Sequence, residues 1–277
     1  CGDERRLEIV PAPLKKKVMV VGGGIGGMEA ARVCSLRGHD VLLCEKSDRL
    51  GGILYVASKA DFKKDIGLLL SYQLNQLNKI KNLEIKLNTK VTKEMIRGEK
   101  PDAVFIATGS KPLRKANIAG LETTPFVTPD EVYKRRMPGG SKAFVIGGGS
   151  VGCETALYLA QKNWEVVVAE MLPTAAPDLF RANQEMLLKM LEEHGVELLT
   201  QATVTRVEPG KAFVRTPIGE RAFTNDLVIL AVGRQPVNQL ASEVDGIVEE
   251  VYVIGDSRSP RKIKDAVWEA FKRARSV

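Results

Sequence analysis

Two copies of one glycine pattern constrain this chain more than any other feature in it. The first runs Val18-Met19-Val20-Val21-Gly22-Gly23-Gly24-Ile25-Gly26-Gly27, and the second Ala143-Phe144-Val145-Ile146-Gly147-Gly148-Gly149-Ser150-Val151-Gly152. Each is an apolar run of buried-strand type that leads into G-x-G-x-x-G and then into a helical pattern. About twenty residues further on, a carboxylate (Glu45 or Glu170) closes the next apolar strand. A glycine-rich turn alone can serve packing. Here both copies carry the strand, the helix and the terminal acid, which is the signature of a dinucleotide-binding βαβ unit.

The spacing follows from the chemistry. Gly22 and Gly147 allow the tight turn out of the strand, while Gly24 and Gly149, lacking a Cβ, let the backbone approach a pyrophosphate. Gly27 and Gly152 let the following helix pack closely. The diphosphate is expected on unsatisfied N–H groups at a helix N-terminus, where the helix dipole favours negative charge. Glu45 and Glu170 are placed to accept a ribose hydroxyl.

At 277 residues the chain has room for two domains, each with its own core. No apolar run is long enough to span a membrane, and the start lacks a signal-peptide pattern. The four cysteines, Cys1, Cys34, Cys44 and Cys153, form neither a C-x-x-C pair nor a metal-ligand spacing. Buried free thiols in a reducing cytoplasm are the expectation. The net charge of +7 is spread over short runs such as Lys15-Lys16-Lys17, Lys134-Arg135-Arg136 and Lys272-Arg273-Ala274-Arg275. With little aromatic interleaving these read as solvated edges and not as a nucleic-acid face.

Residues 1–16, charged and proline-punctuated, read as a linker or arm, and an opening on Cys and not Met suggests a processed, truncated or domain-sized chain. The first unit predicts a strand over Val18–Val21, a helix over Ile25–Leu36 and a strand over Val41–Glu45. Helix is expected from Asp61 to Asn82, and strands over Leu83–Val91 and Ala103–Ala107. After breaks at Pro112, Gly120, Pro125, Pro129 and Pro138-Gly139-Gly140, the second unit repeats the pattern with a helix over Val151–Lys162 and a strand over Glu165–Glu170. A helix over Leu179–His194, a β-rich stretch over Val196–Val214, strands over Leu227–Val232 and Val251–Ile254, and a helix over Asp265–Arg275 complete the chain.

Taken together, these motifs resemble the two-dinucleotide-fold flavoproteins, which include glutathione-reductase-like enzymes. The carriers are the first fingerprint with Glu45, Leu50-Gly51-Gly52, Ala107-Thr108-Gly109, the second fingerprint with Glu154 and Glu170, Val232-Gly233-Arg234-Gln235-Pro236, and Val253-Ile254-Gly255-Asp256. Within that superfamily the chain is most similar to the C-terminal half of 2,4-dienoyl-CoA reductase, enoate reductases and trimethylamine dehydrogenase. The Pro11-Ala12 lead-in and the Ser259-Pro260-Arg261-Lys262-Ile263 run carry that likeness. The implied fold is α/β, with two Rossmann-like domains, the second inserted into the first. Residues 17–117 and 238–277 form an FAD-binding domain on this reading, and 118–237 an NAD-binding domain.

The resemblance also implies roles. Gly22, Gly24 and Gly27 would hold the FAD diphosphate and Glu45 its ribose. Gly52 would let the backbone approach the cofactor, and Val91 would lie by the adenine through its backbone. Thr108, Gly109 and Gly255 would also belong to the cofactor-binding set, and Asp256 would accept from the flavin's ribitol chain or a phosphate-side hydroxyl unless it is merely a turn or N-cap Asp. Gly147, Gly149 and Gly152 would hold NADH, Glu154 would lie near the nicotinamide unless it is only a first-turn acid, and Gly233 would pass the nicotinamide ribose. Glu170 welcomes a free 2′-hydroxyl and repels the 2′-phosphate of NADPH. No amino-acid catalyst and no metal are expected, because the protein supplies position and electrostatics for hydride transfer.

Two departures narrow the expectation. Ile53-Leu54-Tyr55-Val56 lacks the redox cysteine pair of disulfide reductases, and neither His39 nor His194 lies in a C-terminal catalytic domain; both read as structural. The expected function is NADH-to-FAD hydride transfer with electrons passed to a partner centre. In such relatives that centre is an N-terminal flavin and iron–sulfur barrel. A redox-silent ADP-binding module, as in trimethylamine dehydrogenase, and a free-standing NADH oxidase using oxygen are the alternatives. A nucleic-acid or membrane partner is not expected, and the expected location is cytoplasmic.

Overall fold

The computed structural model describes residues 2, 4–135 and 139–277. Cys1, Arg136 at the end of its basic run, and the Pro138 break lie outside the described residues. The chain divides into two compact units, Cys1–Lys111 with Gln235–Val277, and Pro112–Arg234.

The first unit is built on five parallel strands in the order Glu250–Val253, Ala103–Ile106, Lys17–Val21, Asp40–Cys44 and Leu83–Lys86. Both faces are covered, so the strands read as continuous apolar runs. Val18, Val20, Val41, Leu43 and Phe105 pack beneath the helix Ile25–Leu36 on one face. Met19, Val21, Leu42, Val104 and Ile106 meet Ile96, Val244 and Val248 on the other. The helix Ile263–Ala274 lays Ala266, Ala270 and Ala274 into the first of these cores. These positions recur every four residues and form one face of the helix.

The second unit repeats this plan. Its parallel strands run in the order Phe126–Val127, Leu227–Leu230, Lys142–Ile146, Glu165–Ala169 and Glu197–Leu199. Between Leu83–Lys86 and Ala103–Ile106 the first unit has the helix Lys93–Glu99, whereas between Glu197–Leu199 and Leu227–Leu230 the second has an antiparallel meander of Thr203–Glu208, Lys211–Thr216 and Gly219–Thr224. Val204, Val207, Ala212, Val214 and Phe223 from the meander close a core over Phe144, Ile146, Val228 and Leu230.

Several elements differ from the sequence expectation. The strand predicted to reach Val91 stops at Lys86, because Asn88 turns left-handed (φ 52°) and the next amides bond back to the first unit's acidic turn. The helix Lys93–Glu99 follows, N-capped by Thr92, whose hydroxyl accepts from the Met95 amide at 3.3 Å. Gly219–Thr224 is a strand without alternation, as most of its side chains are exposed. The arm is not loose: Arg37 donates to the Val10 carbonyl, and Arg275 to those of Arg6 and Glu8. Among the described residues no helix is long and apolar enough to cross a membrane.

Candidate dinucleotide sites

The two fingerprints share the bonds of their turns and of their acids to the central glycines. Gly22 and Gly147 leave their strands with φ of 106° and 101°, and their amides donate to the Cys44 and Ala169 carbonyls at 2.8 and 2.9 Å. A Cβ on Gly22 would lie 2.3 Å from the Ala107 carbonyl oxygen, and one on Gly147 would lie 2.6 Å from that of Ala231. Real Cβ atoms do not approach so closely, so the turn admits only glycine. Gly27 and Gly152 are tighter still, their missing Cβ atoms lying 1.9 and 2.0 Å from the Gly22 and Gly147 carbonyl oxygens. These contacts bring each helix down onto its own turn, so that its first N–H groups face out past the strand end.

Gly24 and Gly149 are the N-caps of helices Ile25–Leu36 and Ser150–Ala160, and neither helix has a side chain of the cap residue to satisfy its N–H groups. The place a Cβ on Gly24 would take has no described atom within 4 Å. The open, donor-lined helix start after Gly24 fits an anionic diphosphate.

Glu45 and Glu170 are each 7 % exposed, at the ends of Asp40–Cys44 and Glu165–Ala169. Glu45 Oε2 accepts from the Gly23 amide at 2.7 Å, and Glu170 Oε2 from the Gly148 amide at 2.6 Å, across the same sequence separation of 22 residues. The other oxygen of Glu45 accepts from the amide and hydroxyl of Ser47, and that of Glu170 from the Leu172 amide. An ionised carboxylate has about four lone-pair positions, so Glu45 keeps about one for a further donor and Glu170 about two. The central glycines and Ser47 escaped the sequence reading. The constant acid spacing was a signal that these residues face one another.

The other expected residues fall as follows. Gly52 is left-handed (φ 51°), and a Cβ there would sit 3.3 Å from the Gly24 Cα, so backbone passes close to the first fingerprint. Val91 is buried in the core, and the segment before it is tied in through the Thr89 amide, which donates to the Glu45 carbonyl at 2.8 Å. The Thr108 hydroxyl donates to the Val237 carbonyl, and the Val237 amide returns a bond to the Gly109 carbonyl at 2.9 Å. Thr108 is thus engaged in holding the chain's own backbone at Val237. Gly255 (φ 62°) donates its amide to Glu269, while Asp256 accepts from the Ser110 hydroxyl at 3.0 Å and the Arg261 amide at 3.2 Å. Gly233 (φ 112°) accepts from the Leu113 amide.

Glu154 is half-buried and lies beyond the first turn of Ser150–Ala160, which contains no acid. That corrects its alternative reading as a first-turn acid. Glu29 holds the equivalent position on Ile25–Leu36, and both its oxygens are clamped by the Arg32 guanidinium at 2.8 and 2.9 Å.

The histidines and the described cysteines are placed as follows. His39 is fully buried with Nδ1 accepting from the Lys16 amide, and burial together with the nearby Arg37 lowers its pKa. His194 ends the helix Arg181–Glu193, its ring bonded to the Met190 carbonyl. Cys34, Cys44 and Cys153 are buried, and burial raises their thiols to about 12, 11 and 12. No cluster of metal-ligand type occurs among the described residues.

Comparison with known proteins agrees with this geometry. The chain is 36% identical over 282 residues to cinnamate reductase of Clostridium sporogenes, and 36% identical over 273 residues to NADH oxidase of Thermoanaerobacter brockii. These alignments take in 100% and 96% of this chain but 42% of each relative. The chain therefore spans about two fifths of the length of the curated relatives it matches, and it corresponds to their C-terminal part. The structure of a 2-naphthoyl-CoA reductase superposes with a TM-score of 0.92 at 31% identity, over 98% of this chain and 41% of that one. Cinnamate reductase and 2-naphthoyl-CoA reductase are members of the enoate and dienoyl-CoA reductase family. Residues 16–270 match the model of the pyridine nucleotide-disulphide oxidoreductases, and the chain belongs to that family.

Proposed function

We propose that the chain is an NADH-dependent flavoprotein oxidoreductase module, with FAD on the unit that contains Glu45 and NADH on the unit that contains Glu170. The observation that carries this reading is the matched bond from Gly23 to Glu45 and from Gly148 to Glu170, which supports a carboxylate held beside each helix start as a ribose acceptor. When both are bound, NADH supplies a hydride and the flavin accepts it.

The chain's own contribution is placement. The Gly24 and Gly149 helix starts offer N–H donors to the two diphosphates. Glu45 and Glu170, each fixed by backbone donors, would offer their remaining lone pairs to a ribose. In the first unit, Gly52 would keep backbone close to the diphosphate, the 89–91 segment would run beside the adenosine, and Gly109, Gly255 and Asp256 would line the flavin side. In the second, Glu154 and Gly233 would stand toward the nicotinamide half. No side chain is assigned as an acid or base.

The greater length of the relatives is where this reading places the electron acceptor, a flavin and iron–sulfur centre on the same polypeptide or on a partner. The test is anaerobic mixing of the flavin-loaded protein with NADH and, separately, NADPH. NADH should bleach the visible flavin absorbance. NADPH should be slower by on the order of 100-fold, since a 2′-phosphate beside Glu170 is a like-charge contact costing several kcal/mol. A colourless protein that carries only ADP, or a flavin that NADH never bleaches, would sink the proposal in favour of a redox-silent nucleotide module.

A further inference from the structure

The two fingerprints match up to the loop after the carboxylate, and there they part. In the first unit the Gly51 amide donates to the Gly23 carbonyl at 2.8 Å, and the next residue is again glycine. In the second, the Ala176 amide makes the equivalent bond to the Gly148 carbonyl at 2.7 Å, with Ala176 held left-handed at φ 48°. Pro177 and Asp178 follow in place of glycine. Asp178 then reaches back to the helix start. Its Oδ1 accepts from the Ser150 amide at 2.9 Å and its Oδ2 from the Ser150 hydroxyl at 2.6 Å. The missing Cβ of Gly149 would meet that Oδ1 at 4.0 Å, where the matching space at Gly24 has no described atom.

Ser150 is the first residue of its helix, so its amide is one of the orphan donors that a diphosphate would use. A carboxylate already sits there, in the geometry of a charge-assisted bond and with the helix dipole in its favour. Two anions cannot share one donor without repulsion.

We propose that Asp178 occupies the diphosphate position of the second fingerprint in the chain's own ground state, so that a dinucleotide binds by displacing it. Asp178 then sets NADH affinity through the diphosphate and leaves the adenosine contacts alone. The proposal rests on the reading of this fingerprint as the NADH site.

Calorimetric titration of the flavin-loaded full chain with NADH, ADP-ribose and adenosine tests it. Asp178→Asn keeps an oxygen for the Ser150 amide but removes the charge. It should bind NADH and ADP-ribose roughly tenfold tighter, with adenosine unchanged, as expected for removal of a competing charge at a helix N-terminus. Asp178→Ala, which also removes the acceptor, should show the same selectivity, and circular dichroism establishes that both variants fold. Dinucleotide affinity that stays at the wild-type value in both variants overturns the proposal. So does an equal gain for adenosine, which has no phosphate to compete. Wild type and variants that all keep their flavin and take up no NADH would instead overturn the assignment of the site, and the proposal with it.

Discussion

At the residue scale, the matched acid–glycine bond gives the most direct predictions. Glu170→Ala leaves the buried Gly148 amide and the Leu172 amide without their acceptor. Loss of such charge-assisted bonds costs about 2–4 kcal/mol, so both the melting temperature and NADH affinity should fall, the latter checked by titration. Gly152→Ala should be harsher, since its Cβ would be driven against a backbone oxygen 2.0 Å away. The helix must then lift off its turn, and nucleotide binding should be lost even where a circular dichroism spectrum shows the variant folded. His39 gives a pH signature. Its folded pKa lies below the unfolded value near 6.5, so the unfolded state binds the extra proton. Stability should therefore decline as pH falls below about 6.5 and level off once the folded pKa is passed; His39→Gln should flatten that slope in denaturant titrations at several pH values.

At the element scale, close approach is the recurring device. Ala266, Ala270 and Ala274 are small where the C-terminal helix is buried, and Ala270 is fully covered. Ala270→Leu should cost about 1–3 kcal/mol by overpacking, read as a lowered unfolding midpoint. Elements of this kind were legible in the sequence because burial and periodicity coincide in them: Ile25–Leu36 was expected with the bounds observed, and Arg181–Glu193 within two residues at each end. Lys93–Glu99 was not legible, since Ile96 is its one fully buried residue and a seven-residue helix shows too little periodicity. The exposed strand Gly219–Thr224 gave no alternation to read. Within the site, glycines and acids announced themselves by spacing, but Ser47 and Asp178 did not. Their roles depend on loops folding back, which no local pattern encodes.

At the scale of the whole molecule, the second unit is one continuous stretch with its own sheet and core. A fragment spanning 112–234 should fold alone, with a cooperative thermal transition, and bind ADP-ribose. Joining 111 to 235 through a short flexible linker should leave the first unit able to hold flavin, checked by its visible spectrum. Failure of either piece to fold would show that the division of the cores is not one of independent stability.

The sealed thiols carry a consequence for endurance. Reduced flavins in air generate peroxide, and peroxide attacks thiolates, not thiols. With Cys34, Cys44 and Cys153 buried and their thiols raised to between about 11 and 12, the interior holds almost no thiolate at neutral pH. These three side chains should stay unmodified through prolonged aerobic turnover and react with a thiol reagent only after the chain is unfolded, as peptide mass mapping would show. On the proposed reading as a flavoprotein, a chain built this way would tolerate electrons lost from its flavin to oxygen.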